Sequence, residues 1–493
     1  MAEKIYKYVV VGGGIAGVTC AETLSMLCQD DEILLITASP LVKVITNYTQ
    51  ISKTLEDFDV EERPMTSVET TCPNVKVIQK VIVSLNSELC VVTTTDGDEI
   101  KYNKICICTG GKPKVISKDN PYVIGIRDTE SVKEFQKRLC KARRIIVVGN
   151  GGIATELVYE IEGCEVIWAI KDKSITSTFV DPGAAEFFLD KLKEKKDSKT
   201  GAPSKRLKYT TDDVPEEQPG STTMGGALGP DWVRDLSMVG SQQISHKVHV
   251  EYSVEVKQIY NTEEFLSSGK VQNVLEGGDG EYIEEKWPVY VEFTNNKVFG
   301  ADFVVSATGV VPATDPFTKG NQFDIAEDGG FKVNDKMETT VKDVYAAGDV
   351  CSASWELAPH WIQMRLWSQA RQMGSYAAKC MVASMNGENI SMDFCFELFA
   401  HVTKFFNYKV ILLGNFNVQK RDNGQDYELL LRVTKNVEYV KVVLKEGRLE
   451  GAILIGETDL EETFENLILN QTDLTPFKDH LLDPNIDIDD FFD

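Results

Sequence analysis

One pattern, present twice, constrains this chain more than any other. Residues 7–17, KYVVVGGGIAG, run a β-branched segment into Gly12-x-Gly14-x-x-Gly17. A helical stretch from Val18 to about Cys28 follows, and then a second apolar run, Ile33 to Ile36. Strand, tight turn, helix and strand within about 30 residues make the unit in which a glycine turn cradles a dinucleotide. Gly12 permits the turn and Gly14 admits a pyrophosphate against the backbone. Ile15 and Ala16, inside the motif, belong to the same candidate cofactor-binding set, and Gly17 lets the following helix pack close to the strand. The helix N-terminus presents free N–H groups and a partial positive charge to the phosphates. The second copy, IIVVGNGGIATE at 145–156, reads Gly149-x-Gly151-x-x-Ala154, with Gly152 and Ile153 opening a helix to about Ile161. A lone turn of this kind is weak evidence. Two, each opening a βαβ unit, imply two dinucleotide sites or two duplicated halves.

Two further segments match each other. ICICTGGKP at 105–113 and VVSATGVVP at 304–312 each read as a buried strand, a Thr-Gly turn and a proline. They single out Thr109, Gly110 and Gly309. DVYAAGD, 343–349, then ends a strand in Gly348-Asp349 before a helical region running from roughly Trp361 to Met385.

Composition narrows the function. At 493 residues the chain is long enough for about three domains at roughly 150 residues each. Its 52 Lys and Arg against 76 Asp and Glu leave a net charge of −24, which argues against direct grip on a nucleic-acid backbone. No apolar run approaches the roughly 18 residues of a membrane span, and the glycine turn comes too early for a secretory leader. The 11 cysteines include no CxxC, and the five histidines are His246, His249, His360, His401 and His480. No metal site is expected from them. Reduced, buried thiols in a cytoplasmic or nuclear protein are expected instead.

The order GxGxxG, TGxxP, GxGxxA, TGxxP, YAAGD over about residues 7–390 resembles the pyridine nucleotide-disulfide oxidoreductases, the flavoproteins with two dinucleotide-binding domains. The resemblance implies an α/β fold with two Rossmann-like domains and a smaller α+β C-terminal domain. An FAD domain at 1–130 and 302–390 would be split by an NAD(P) domain at 131–301, with an interface domain at 391–493. It implies FAD, and NADPH or NADH, as cofactors. The stretch 192–245 stands inside the NAD(P) domain where the family runs on directly. It is poor in large apolar residues, so a flexible insertion is expected. The tail DPNIDIDDFFD is acidic, a solvated or partner-docking segment.

The departures from the family pattern bear on chemistry. Thr37 stands where an acidic residue would hold the FAD ribose, and its hydroxyl still offers a hydrogen bond without charge assistance. At the second site Ile170 stands where a carboxylate would repel a 2′-phosphate, with Lys171 beside it. Lys171 is therefore either a contact for NADPH or a plain surface lysine. Residues 38–60 hold no cysteine, and Cys140 and Cys164 lie far apart. Cys106 and Cys108 share one face of a strand and read as core. His401 lacks the expected proton-transfer partner. In the branch with ferredoxin reductases and apoptosis-inducing factor, a lysine after the second strand meets a glutamate of the second glycine helix beside the flavin. Lys53, in Ile51-Ser52-Lys53, and Glu156 resemble that pair and are the candidate catalytic residues. The resemblance assigns Asp349 to the flavin ribityl chain.

The leading expectation is an FAD-dependent oxidoreductase that accepts hydride from NAD(P)H without a dithiol relay, in the oxidative stress response. The rival is a redox-gated binding protein whose reduced flavin controls a protein partner. By resemblance alone that partner is the tRNA ligase complex, guarded from oxidation. A disulfide reductase using Cys106 and Cys108 or a distal thiol ranks last.

Overall fold

The computed structural model describes residues 4–127, 129–193, 237–244, 246–275, 286–417 and 426–486. Most of the insertion expected at 192–245, and the acidic tail from residue 487, lie outside the described residues.

The first sheet is doubly wound around the first glycine turn. Its strands run, in spatial order, Val75–Gln79, Ile33–Thr37, Ile5–Val11, Glu99–Ile107, Val91–Thr94 and Ile82–Asn86, with Val344–Ala346 also on Glu99–Ile107. Five strands, Val75–Gln79, Ile33–Thr37, Ile5–Val11, Glu99–Ile107 and Val344–Ala346, are parallel (Tyr8 opposite Ile33 and Lys104, Val344 opposite Ile105), and at the sheet's centre the segments Tyr8–Val11, Ile33–Ile36 and Ile105–Ile107 are unbroken apolar runs. Strands buried on both faces require that composition. The helices Ile15–Leu27 and Trp367–Asn386 pack on each other over this sheet. Gly374 makes the packing close, because a Cβ there would stand 2.2 Å from the Ala16 carbonyl oxygen. The long helix was expected from about Trp361 but begins at Trp367. Residues 361–366 are tied down instead by side chains: Gln363 bonds the backbone of Cys351 and Ala353, and Arg365 Nε donates to the Asp349 carbonyl at 3.0 Å.

A second parallel sheet surrounds the second glycine turn, in the order Val123–Gly125, Phe303–Ser306, Arg144–Val148, Glu165–Ala169 and Lys247–Glu251. Its two outermost chain segments, Val123–Gly125 and Phe303–Ser306, lie beyond the ends expected for the inserted domain, 131 and 301. The segment at 304–312 reads as a buried strand, nothing in the sequence marks 123–125, and only their pairing assigns them to this sheet. A three-stranded antiparallel sheet, Val256–Asn261, Val289–Phe293 and Val298–Ala301, covers part of it.

The C-terminal unit is a five-stranded antiparallel sheet ordered Ala400–Phe405, Tyr408–Gly414, Arg448–Ile455, Glu438–Lys445 and Glu428–Thr434. The helix Glu461–Asn470 covers one face through Phe464, Leu467 and Ile468. The other face packs on the second sheet's domain, with Val410, Leu412, Tyr439 and Ile455 in one core with Phe188 and Val158. No helix among the described residues is long and apolar enough to cross a membrane.

Candidate active site

Both glycine turns open on one cavity of about 560 Å³ between the two sheets, the size at which small-molecule sites are found. Gly14, Ile15 and Ala16 line it from the first turn, and Gly151, Gly152, Ile153 and Glu156 from the second. Gly110, Gly309 and Asp349 complete the group expected from sequence.

The glycines divide by task. Gly12 (φ +129°) and Gly149 (φ +134°) adopt backbone that side chains rarely tolerate, and a Cβ on either would stand 2.1 Å from a carbonyl oxygen of the adjoining strand end. A Cβ on Gly17 would stand 1.9 Å from the Gly12 oxygen. These three shape the turns and do not face the cavity. At Gly14 and Gly151, by contrast, a Cβ would meet nothing within 4 Å, because there the backbone faces cavity space. Each caps its helix without a side-chain hydrogen bond, and neither helix has an acidic residue in its first turn. The N–H groups and the positive helix end are left for an anion at both turns. The donor set fits the pyrophosphates of two dinucleotides.

Several expected residues serve these turns from behind the wall. The Thr37 hydroxyl is buried and donates to the Ser39 carbonyl at 3.0 Å, so it braces its own turn and does not reach the cavity. Thr109 Oγ1 donates to the Ala313 carbonyl at 2.9 Å, joining the two matching Thr-Gly segments. Gly348 (φ +79°) brings the Gly-Asp turn against Ala16, where a Cβ would come within 2.9 Å of the alanine's own. Ile170 is fully buried, and Lys171 is exposed at the strand's end, outside the cavity wall. Cys106 and Cys108 lie 3.5 Å apart, sulfur to sulfur, beneath the first turn.

The Lys53–Glu156 pairing expected from sequence is not formed. Lys53 is exposed and its ammonium donates to Asn466 Oδ1 at 3.1 Å, on the C-terminal helix. The cause is Glu465 of that helix. Its carboxylate accepts from Ser52 Oγ and, at 2.8 and 3.0 Å, from the Thr54 N–H and hydroxyl. Ser52 and Thr54 are thereby anchored inward, and the residue between them points away. The lysine in the cavity with Glu156 is Lys43. It sits early in the hairpin Leu41–Gln50 and Glu56–Pro64, and its own N–H donates to the Gly13 carbonyl at 2.9 Å, pinning that strand to the glycine turn.

Sequence reading also missed Arg127. Its guanidinium meets the Asp349 carboxylate at 2.7 Å inside the cavity, bridging the segment that enters the second domain to the Gly-Asp turn of the first. Arg365, also in the wall, bonds Asp328 at 2.7 Å. Phe179, Trp367 and Phe405 supply aromatic wall, Phe179 and Phe405 with ring centres 5.2 Å apart. No motif marks these residues, since they converge only through tertiary contacts.

His401 lies behind this wall. It is 1% exposed, packed on Trp367 at 4.8 Å between ring centres, with Nδ1 3.0 Å from Ser368 Oγ. Burial pulls the imidazole down from 6.5 to about 3. The folded ring stays neutral where the unfolded one takes up a proton, so its contribution to stability is complete above pH 6.5 and is lost as pH falls toward 3. The expected loss is about 1.4 kcal/mol per pH unit within that window. Denaturant melts at about pH 6 and about pH 5 should show this increment in the wild type and not in His401→Gln. An identical drop in both proteins would contradict it.

Two parallel dinucleotide folds facing one cavity define a flavoprotein of the two-dinucleotide-domain class. The chain belongs to the pyridine nucleotide-disulphide oxidoreductase family, whose model matches residues 6–210 and 237–374. The model of the rubredoxin NAD+ reductase C-terminal domain matches residues 400–472. The family's cofactors are FAD and NAD(P)H. The human protein called pyridine nucleotide-disulfide oxidoreductase domain-containing protein 1 is 57% identical over 493 residues, covering 99% of this chain and 98% of that one. Among solved structures, NADH:rubredoxin oxidoreductase from Clostridium acetobutylicum aligns with a TM-score of 0.57 at 19% identity, over 95% of this chain and 96% of that one. A water-forming NADH oxidase from Lactobacillus brevis, bound to NADH, aligns with a TM-score of 0.63 at 15% identity, over 95% and 91%. At those identities the structural likeness speaks to fold.

Proposed function

We propose that this protein is an FAD-dependent oxidoreductase that takes hydride from NAD(P)H without a dithiol relay, acting in the cellular oxidative stress response. The observation that carries the reading is the shared cavity: both pyrophosphate cradles, Lys43 and Glu156 face it, and among the described residues its one lining cysteine, Cys108, is backed by Cys106 under the sheet. FAD, when bound, supplies the hydride-accepting ring. The chain's own part is to hold and to exclude. Gly14 and the following N–H groups bind one pyrophosphate, and Gly151 with its helix binds the other. Phe179, Trp367 and Phe405 keep water from the aromatic end of the cavity, and Lys43 places a cation where negative charge grows on reduction.

Coenzyme choice follows from the strand end at Ile170. Ile170 itself carries no carboxylate to repel a 2′-phosphate, the Asp172 carboxylate is held by Asn150 Nδ2 at 2.9 Å, and Lys171 is exposed alongside, so NADPH is accepted. Lys171→Ala is expected to weaken NADPH about tenfold and NADH hardly at all, the worth of one charge-assisted contact. An unchanged preference would remove Lys171 from the site.

A second reading, a redox-gated binding protein, has one observation in its favour. Leu429, Leu431 and Val433 are 38%, 56% and 54% exposed on one face of the sheet's last strand, an apolar patch of the kind partners cover. One experiment separates the two. NADPH or NADH is added without air, oxygen is then admitted, and the flavin spectrum is followed. Fast bleaching and prompt reoxidation support turnover. A reduced flavin with a persistent long-wavelength band supports gating, and flavin that neither coenzyme reduces refutes both.

A further inference from the structure

Thr178 and Phe179 line the cavity beside the second glycine turn, and both belong to a short segment clamped at its two ends. Upstream the clamp is Asn150, inside the turn itself. Its Oδ1 accepts from the Thr176 N–H at 2.6 Å, and its Nδ2 donates to Ser174 O and Ser177 Oγ, each at 2.9 Å. Thr178 Oγ1 returns a bond to the Asn150 carbonyl at 3.2 Å. This half of the clamp is local to the domain.

The downstream half is not. Asp181, two residues past Phe179, accepts from the Gly183 and Ala184 N–H groups at 2.8 and 3.2 Å and so fixes the start of the helix Pro182–Lys193. Its carboxylate also meets Lys441 Nζ at 2.6 Å and the Tyr439 hydroxyl at 3.2 Å. Tyr439 and Lys441 stand two apart on the strand Glu438–Lys445 of the C-terminal sheet, so they share a face. The Lys441 and Asp181 side chains are 1% and 4% exposed. Burial acts to raise the Asp181 carboxyl, and the Lys441 ammonium with the two N–H donors more than offsets it, holding it below the usual carboxylate range.

A desolvated ion pair is poor value as a source of stability, because apolar residues of the same size hold two surfaces together at least as well. What it supplies is fixed geometry. Here that geometry is handed to Phe179, whose ring stands 3.5 Å from where a Gly152 Cβ would be and leans on Phe405. We infer that Lys441 and Tyr439 of the C-terminal domain are positioning residues for coenzyme binding, acting through Asp181 to hold the Thr178–Phe179 wall over the second glycine turn. The inference rests on the reading that this turn takes the nicotinamide coenzyme.

The test is anaerobic flavin reduction in the full-length, FAD-loaded protein, with NADPH and NADH each varied to separate coenzyme affinity from the limiting rate. Lys441→Met, near in size and uncharged, is expected to weaken coenzyme binding about tenfold, with the limiting rate within about twofold of wild type and the flavin retained. Lys441→Arg should recover most of the affinity, and Tyr439→Phe should lose about two- to threefold. A folded, flavin-loaded Lys441→Met with unchanged coenzyme affinity overturns the inference, as does flavin loss in parallel with affinity. If Lys441→Met does not fold, Tyr439→Phe decides, and unchanged affinity there overturns it too. A wild-type flavin that neither coenzyme reduces would refute the reading of the cavity instead.

Discussion

Gly14→Ala is expected to fold as the wild type does and to lose flavin affinity by about ten- to a hundredfold, the cost of one or two charge-assisted hydrogen bonds to phosphate. The backbone at Gly14 is extended (φ −80°, ψ −178°), a conformation alanine adopts freely, and the added methyl meets no protein atom within 4 Å. It therefore clashes with nothing in the protein itself, costs at most about 1 kcal/mol at the helix N-cap, and intrudes chiefly on what the turn binds. Gly151→Ala, equally extended (φ −92°, ψ −176°), should keep its flavin and lose coenzyme affinity by a similar factor. Gly17→Ala is the contrast, because its methyl would stand 1.9 Å from the Gly12 oxygen. That variant should melt lower or fail to fold. Flavin absorbance after gel filtration, coenzyme titration and a thermal melt read all three. A Gly14→Ala protein with full flavin, or a Gly151→Ala protein reduced at wild-type coenzyme concentrations, would mean that the turns do not bind as described.

Why the turns were legible and the rest of the site was not is a matter of range. A glycine turn is a local object: strand, bend and helix follow within thirty residues, and steric demands on Gly12, Gly17 and Gly149 leave their mark directly in the residue types. The buried parallel strands are as plain, because apolar runs such as YVVV and IIVV admit little else. Lys53 shows the opposite case. Its neighbours bond Glu465, more than four hundred residues away, and nothing in Ile51-Ser52-Lys53 announces that anchor. Arg127 and Asp349 meet across a separation of 222 residues. The Phe303–Ser306 strand is visible as a strand, yet that it joins Val123–Gly125 in the second sheet is decided by pairing alone. Asp181 belongs to no sequence motif, and its part emerges only when Lys441 arrives from the C-terminal sheet.

The misplacement of Lys53 leads to the other large expected effect. Lys43→Ala should slow flavin reduction by about ten- to a hundredfold, as removal of a preorganised charge at a reacting centre does, while Lys53→Ala leaves the rate as it is. Lys43 and Glu156 face one cavity, each delivered by the element that forms a glycine turn: the hairpin strand bonded to Gly13 and the helix that starts at Gly152. Neither therefore shifts when a remote loop moves. Lys53, exposed and held to Asn466, is separated from that chemistry by the Ser52 and Thr54 anchors. Glu156→Gln is expected to fall between the two, since it keeps the shape and removes the charge. Rapid-mixing traces of flavin bleaching, taken at saturating coenzyme so that affinity does not enter, distinguish these outcomes. A Lys43→Ala protein that bleaches at the wild-type rate would leave the cavity's cation without a part in the reaction. A slowed Lys53→Ala protein would mean that the Glu465 anchor opens and that the lysine expected from sequence reaches the flavin after all.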